Sequence, residues 1–291
     1  MFARHRFSGW GRFGVFWLVA FPWWLALLPA LAQAVETDSF AETYSFAVVP
    51  QYERRKVFAI WKPILDELQV RSGVRLELVT TMSVNEFGAA MKQGQYDFVF
   101  TNPYYIVKFH PEPGYIPLLR DSEPIQGVVV VARDSPLRRP EDLQGKTLAV
   151  PTPNAFGASL MVQADLADLY RVAVVAKDGK SHTSSYYQVL NGLADAAGGV
   201  QKTLQEQEPA VRDSLRVIYT TRNLPSHPVA AHPRVPAAVR ETIRRVWLEM
   251  ARDPAVRALL VKIPMHQAVA TGFQDYQSVT RLGLDRYWVE Q

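Results

Sequence analysis

The sequence contains no cysteine, which excludes disulfides, thiolate metal sites and a lipid-modified cysteine at a processed N-terminus. Histidine is scarce, six in 291 residues, and no His-x-x-x-His or Glu-x-x-His pair falls on a helical stretch, so metal-assisted hydrolysis has no ligand set. No Gly-x-Ser-x-Gly elbow is present. Ser184 and Ser185 lie close to His182, but no acid is placed to orient that histidine, and a nucleophile-base pair is not expected there. Internal repeats, low-complexity tracts and long charge runs are also missing. The expected site is therefore non-catalytic, without metal or cofactor.

Long apolar runs are lacking too. The longest, Val15 to Leu31, holds Pro22 and Pro29 and falls short of the roughly 20 residues of a comfortable spanning helix. Arg4, Arg6 and Arg12 precede it and Ala32-Gln33-Ala34 follows, so residues 1–34 read as a cleavable secretory signal, with an uncleaved anchor as the lesser alternative. Its loss would remove three of 32 basic residues and none of 28 acidic ones, lowering the formal charge from +4 to +1. That balance gives no nucleic-acid footprint. The 257 of 291 residues that remain suffice for one large or two small domains.

What is present alternates strand and helix. Tyr44 to Val49 reads as a strand, followed by a helix with Val57, Ile60, Trp61, Ile64, Leu65 and Leu68 on one face and Pro63 expected to kink or loosen it. Val74 to Val79 is a strand, Ser83 to Glu86 a capping box, and Gly94 a helix end. Tyr96 to Phe100 stops at Thr101-Asn102-Pro103, where Asn102 suits an N-cap and Pro103 the first helical position. Ile125 to Ala132 is the longest β-rich run and is expected to cross between two lobes. Leu148 to Pro151, Val172 to Ala176, Ala194 to Ala197 and Leu215 to Tyr219 supply further strands. Helices are expected from Pro236, from Pro254, and from Gln274 to Trp288. The pattern is α/β with mostly parallel sheets.

Two turns stand out between Asp142 and Ala197. Asn154-Ala155-Phe156-Gly157-Ala158-Ser159 opens one helix and Ser181-His182-Thr183-Ser184-Ser185 opens another. Helix starts expose unpaired N–H groups and a positive partial charge, so two that converge form a site for an anion or polar ligand. Thr101 and Asn102 close a strand, the usual ligand edge of an open α/β sheet, although a plain helix cap also accounts for Asn102. Of Tyr104 and Tyr105, and of Tyr186 and Tyr187, one of each pair is expected to face the core and the other remains a candidate for the cleft.

Trp61-Lys62-Pro63-Ile64-Leu65, Gly94-Gln95-Tyr96-Asp97, Asp142-Leu143-Gln144-Gly145-Lys146-Thr147, Ser181-His182 and Asn191-Gly192-Leu193-Ala194-Asp195-Ala196 occur in that order. The arrangement resembles the periplasmic substrate-binding proteins of phosphate/phosphite/phosphonate ABC transporters over essentially the whole mature chain. The resemblance implies a two-lobed type II periplasmic-binding fold, with 35–126 plus 228–291 as one lobe, 127–227 as the other and the ligand in a cleft between them. It implies a small anionic or polar ligand, a phosphorus oxyanion or a relative, held by Thr101, Asn102 and Tyr104 of one lobe and by Asn154, Phe156, Gly157, Ser159, His182, Thr183, Ser184 and His227 of the other. His182 matches the family's ligand-contacting histidine.

Two departures accompany it. The family's Ser/Thr-rich helix start falls on Ala155-Phe156-Gly157, with Ser159 the nearest downstream hydroxyl, which leaves the backbone N–H groups of Phe156, Gly157 and Ala158 to bind an oxyanion and Phe156 to form an apolar wall. An acid expected before a proline is replaced by His227, ahead of Pro228. Amine-bearing ligands are disfavoured by that replacement. The implied partner is a membrane permease, the implied compartment the periplasm and the implied state a monomer; a receptor reporting to a sensor kinase is the alternative role, and an enzyme on the same scaffold the lesser one.

Overall fold

The computed structural model describes residues 42–290, so the expected signal peptide at 1–34 lies outside the described residues. Along the chain, β1 (Thr43–Val48) leads to α1 (Arg54–Ser72), β2 (Arg75–Thr80), α2 (Val84–Lys92), β3 (Phe98–Phe100) and α3 (Pro103–Lys108), and then to β4 (Ile116–Asp121), β5 (Gly127–Ala132) and β6 (Thr147–Val150). A π-helical turn, Phe156–Leu160, runs directly into α4 (Met161–Tyr170). There follow β7 (Val175–Asp178), α5 (His182–Leu190), β8 (Ala196–Val200), α6 (Gln201–Gln205), α7 (Pro209–Arg212), β9 (Leu215–Thr220) and β10 (Pro228–Ala231). The chain ends with α8 (Ala237–Arg252), α9 (Pro254–Leu260), β11 (Ala268–Ala270) and α10 (Gln277–Thr280).

Local signals explain most of these elements. α1 buries Val57, Trp61, Ile64, Leu65 and Leu68 and stops at Gly73, whose φ of 71° opens the left-handed turn. Pro63 does not interrupt it: the proline and Ala59, whose carbonyl loses its donor, are both on the solvent face. The Ser83 hydroxyl accepts from the Glu86 amide at 3.1 Å, while the Glu86 carboxylate reaches back to the Met82 amide rather than to that of Ser83. Asn102 caps α3 by accepting from the Tyr105 amide at 3.0 Å, with Pro103 at its first position.

The single helix expected from Gln274 to Trp288 is instead three pieces, 3₁₀ turns at Phe273–Tyr276 and Leu284–Tyr287 around α10. Gly283 adopts φ 59° and ends the helical path there.

Two mixed sheets result. The six-stranded sheet has the order β11-β4-β10-β3-β1-β2 and the five-stranded sheet β7-β6-β8-β5-β9. Only the β2-β1-β3 and β7-β6-β8 triplets are parallel; β10, β11 and β5 pair antiparallel with their neighbours. The expectation of mostly parallel sheets is corrected accordingly: β5 and β10, which each enter from the other sheet, run against their neighbours, and β11 runs against β4. The chain passes between the sheets after β4 and again after β9, and the two passages bond each other through Ile125 and Leu224, with amide to carbonyl distances of 2.9 and 3.1 Å.

The first sheet rests on an aromatic core in which Phe46 stacks on Trp247 of α8 at 6.2 Å, and Trp61 of α1 packs on Phe100 at 4.8 Å. Separate apolar clusters fill either face of the second sheet. A fourth joins the two halves: Tyr104 of α3, Phe156, Leu160, Met161 and Ala164 of the π turn and α4, Leu224 of the passage, and Val279 and Leu284 near the C-terminus.

Candidate functional site

In each parallel triplet the strand C-terminal ends lie on one edge, where helices begin and ligands bind. β6 leads to the π turn, β7 to α5 and β8 to α6; β1 leads to α1 and β3 to α3. These two edges approach each other. The Tyr52 hydroxyl, in the loop before α1, donates to the Glu206 carboxylate just past α6 at 3.5 Å.

The π turn lies flat against the second sheet because glycines let it. A Cβ at Gly198 would overlap the Ala158 carbonyl oxygen, and one at Gly127 that of Gly157. Ser159 and Leu160 both donate their amides to the Ala155 carbonyl. The amides of Phe156, Gly157 and Ala158 have no acceptor among the described residues, although all three residues are buried. Buried unpaired amides at a helix start are rare and form an anion cradle. Val200 touches Gly157, and Thr203 one turn later touches His182, so the π turn and the start of α5 meet at the end of β8.

His182 and His227 complete this edge. The His182 Nδ1 lies 3.3 Å from Thr203 Oγ1. His227 comes from the passage before β10 and stacks on Phe100 with ring centroids 5.6 Å apart. Burial pushes the pKa of His182 down to about 4, and burial followed by the nearby His182 pushes that of His227 down to about 4. Both imidazoles are therefore neutral near pH 7. Neither has a carboxylate among the causes of its shift, so an ammonium finds no partner at them, whereas donors for an anion are at hand.

The remaining expected residues are placed unevenly. The Asn102 amide nitrogen has no partner among the described residues and is not sealed from solvent. Gly157 contributes backbone alone. Ser184 is half-buried at the start of α5 and its amide binds the Ser181 hydroxyl, while the exposed Thr183 donates its hydroxyl to Gln207 at 3.0 Å.

Other side chains point away or are already engaged. Thr101 donates its hydroxyl to the Met91 sulfur inside the first lobe. Both ends of the Asn154 amide bind the Val289 backbone, at 3.0 and 2.8 Å. The Ser159 hydroxyl accepts from the Gln163 amide nitrogen at 3.0 Å within its own helix. Phe156 is packed in the joining cluster instead of walling the cleft, and Tyr104 packs there beside it, 5.6 Å from Trp288. Tyr105 is also buried, while Tyr186 is buried and Tyr187 exposed.

Sequence reasoning missed Thr203, Tyr52, Glu206 and the tethering of the C-terminus. The Gly198-Gly199 pair was a usable signal for close approach at β8; nothing local marked the others. Among the described residues no group of three or more metal-ligating side chains converges. Two hollows of about 370 and 390 Å³ lie apart from the histidines. The first borders Lys146, Thr147 and Asp195 at the opposite strand edge, and the second borders Tyr104, Lys108 and Asp285 beside α3.

Comparison with solved structures places the same fold in several binding proteins. PhnD1 from Prochlorococcus marinus, solved in complex with methylphosphonate, superposes with a TM-score of 0.74 at 12% identity, over 84% of this chain and 98% of that one. A binding protein component of an ABC phosphonate transporter from Pseudomonas aeruginosa gives 0.70 at 13% identity, over 83% and 85%. A Xanthomonas citri protein bound to chloride ion gives 0.70 at 17% identity, over 84% and 98%. The fold is the two-lobed type II periplasmic-binding fold. No curated protein sequence matches the chain. Residues 46–276, most of the described chain, match the family of periplasmic substrate-binding proteins of phosphonate ABC transporters, and the chain belongs to that family.

Proposed function

We propose that this protein captures a phosphorus oxyanion, a phosphonate, phosphite or phosphate, between its lobes and delivers it to the permease of an ABC transporter. Substrate-binding proteins of this family work in the periplasm and hand small ligands to a membrane permease. The observation that carries the ligand class is the set of three buried, unpaired amides at Phe156, Gly157 and Ala158 beside two neutral histidines with no acid between them. Amides of this kind bind oxyanions without any hydroxyl. In our reading the ligand is held by those amides, by His182 and Ser184 at the start of α5, by His227 of the passage before β10 and by the Asn102 amide. The protein acts as a monomer, binds without turnover, and is exported by its first 34 residues.

A thermal-shift panel of phosphate, phosphite, methylphosphonate, acetate and lysine tests the ligand class. A true ligand at a hundred times its Kd stabilises the protein by about 2.7 kcal/mol. Stabilisation by acetate or lysine alone, with none by a phosphorus oxyanion, would overturn the proposal.

A further inference from the structure

His182 can meet a ligand oxygen in two ways that differ by one proton: Nε2–H donates, or the Nε2 lone pair accepts. Thr203 decides between them. Its hydroxyl carries a single hydrogen, and Oγ1 lies 2.8 Å from the Val200 carbonyl oxygen, a group that only accepts. That bond uses the hydrogen. What Oγ1 offers to the Val200 amide, to the Tyr186 hydroxyl and to His182 Nδ1, each at 3.3 Å, is lone-pair density. The contact with His182 is then a hydrogen bond only if Nδ1 donates. The other ring nitrogen, Nε2, has no partner among the described residues and is not sealed from solvent.

The surroundings do not reverse this assignment. The titratable groups around His182 are Tyr186, one turn along its own helix, and His227 from the passage before β10. No carboxylate or cationic side chain acts on its ring. Among the described residues no side chain donates to Nε2, which leaves solvent or a ligand as its partner.

Resting on the oxyanion reading above, we infer that Thr203 holds His182 as the Nδ1–H tautomer, so that Nε2 faces the cleft as an acceptor and the site selects an oxyanion that keeps one proton. The ligand class is the P–OH monoanion of a phosphonate, phosphite or phosphate. Its P–OH donates to Nε2 while its unprotonated oxygens accept from the amides of the π turn. Sulfate and sulfonates have the same shape but no proton near pH 7. Their oxygens would face the Nε2 lone pair, leaving two acceptors together in a half-buried site with no donor between them. Thr203 acts here as a positioning residue, through His182.

Two measurements test this on the full mature chain. Long-range ¹H–¹⁵N spectra of the ligand-free protein should show His182 protonated at Nδ1 in the wild type and in Thr203→Ser, and a tautomer mixture in Thr203→Val. Calorimetry with phosphite across pH should show affinity that is flat at acidic pH and weakens by about tenfold per unit above the ligand's second ionisation, the linkage of one proton. Sulfate and methanesulfonate should bind at least about a hundredfold more weakly, a gap that narrows in Thr203→Val and persists in Thr203→Ser. An Nε2–H signal in the wild type overturns the inference whatever the ligand. So does phosphite affinity that rises with pH, or sulfate bound as tightly as phosphite; either leaves the oxyanion reading standing. If no oxyanion binds at any pH, both the reading and the selectivity fall. Should Thr203→Val fail to fold, the wild-type and Thr203→Ser spectra and the wild-type pH profile still decide.

Discussion

His182 at the start of α5 and His227 in the passage before β10, stacked on Phe100 of β3, lie close enough that a charge on His182 opposes one on His227. Burial alone already holds His182 near 4. The pair thus marks where the two strand edges meet, and it makes folding sensitive to acid.

A histidine whose folded pKa lies below its usual 6.5 binds its proton more readily once unfolded. Above pH 6.5 neither state is protonated and the pair costs nothing. As pH falls from 6.5 to 4 the unfolded chain gains protons first, so stability declines, and below about 4 the loss is complete. After discounting for partial solvent access, the two together should cost on the order of 2 kcal/mol. Melting curves from pH 7.5 to 4 should show this decline shallower in the His182→Asn, His227→Asn double variant. Equal slopes would place the acid sensitivity elsewhere.

Asn154 ties down the chain terminus. Its amide holds the Val289 backbone at both ends, while Arg286 makes a two-point ion pair with Asp168 of α4 at 2.9 and 3.0 Å. Asn154→Ala should lower stability by about 1–2 kcal/mol and speed hydrogen exchange in residues 284–290. Phosphite affinity should stay within about threefold of wild type, a change of under 1 kcal/mol. A tenfold loss with unchanged exchange would make Asn154 a ligand donor after all.

Two glycines should respond differently to alanine. At Gly198 the new Cβ would strike the backbone of the π turn, which cannot move without leaving the sheet, so Gly198→Ala should cost about 2–4 kcal/mol and weaken ligand binding. Gly145 has a φ of +70° and nothing near its Cβ position. Gly145→Ala should cost only the backbone strain, about 1–2 kcal/mol, with binding intact. Chemical denaturation and calorimetry on both variants check the contrast, and a loss of binding in Gly145→Ala would contradict it.

Tyr52 and Glu206 touch across the cleft at 3.5 Å, in an exposed position. So long and exposed a bond adds little to stability. Tyr52→Phe should leave the ligand-free melting temperature unchanged yet raise the ligand off-rate by roughly two- to fivefold, since the contact exists only while the lobes are together. Stopped-flow dissociation measures it, and an unchanged off-rate would remove Tyr52 from the closure.

What could be read from the sequence was what acts within one or two turns. The Ser83 and Asn102 caps, Pro103 at a helix start, and the buried face of α1 from Val57 to Leu68 were all anticipated. They depend on a residue and neighbours three or four places away. The start of α5 at His182 was equally legible, with Ser181 accepting from Ser184 at 3.1 Å. Residues whose type suits a site but whose direction depends on distant packing were not. Thr101 turned to Met91, Ser159 to Gln163, and Phe156 into the joining cluster.

The sequence by itself determined the α/β alternation, the helix starts, the family and the lack of any thiol. Only the tertiary structure decided strand direction in the mixed sheets, the breaking of the C-terminal helix, and the partners of the functional side chains. Val289 binds Asn154, 135 residues earlier, and Thr203 meets His182, 21 residues away. Local preference fixes backbone conformation through short-range sterics and hydrogen bonds. Which donor faces which acceptor is settled when burial leaves each polar group one place to be satisfied, and that place is set by the whole fold.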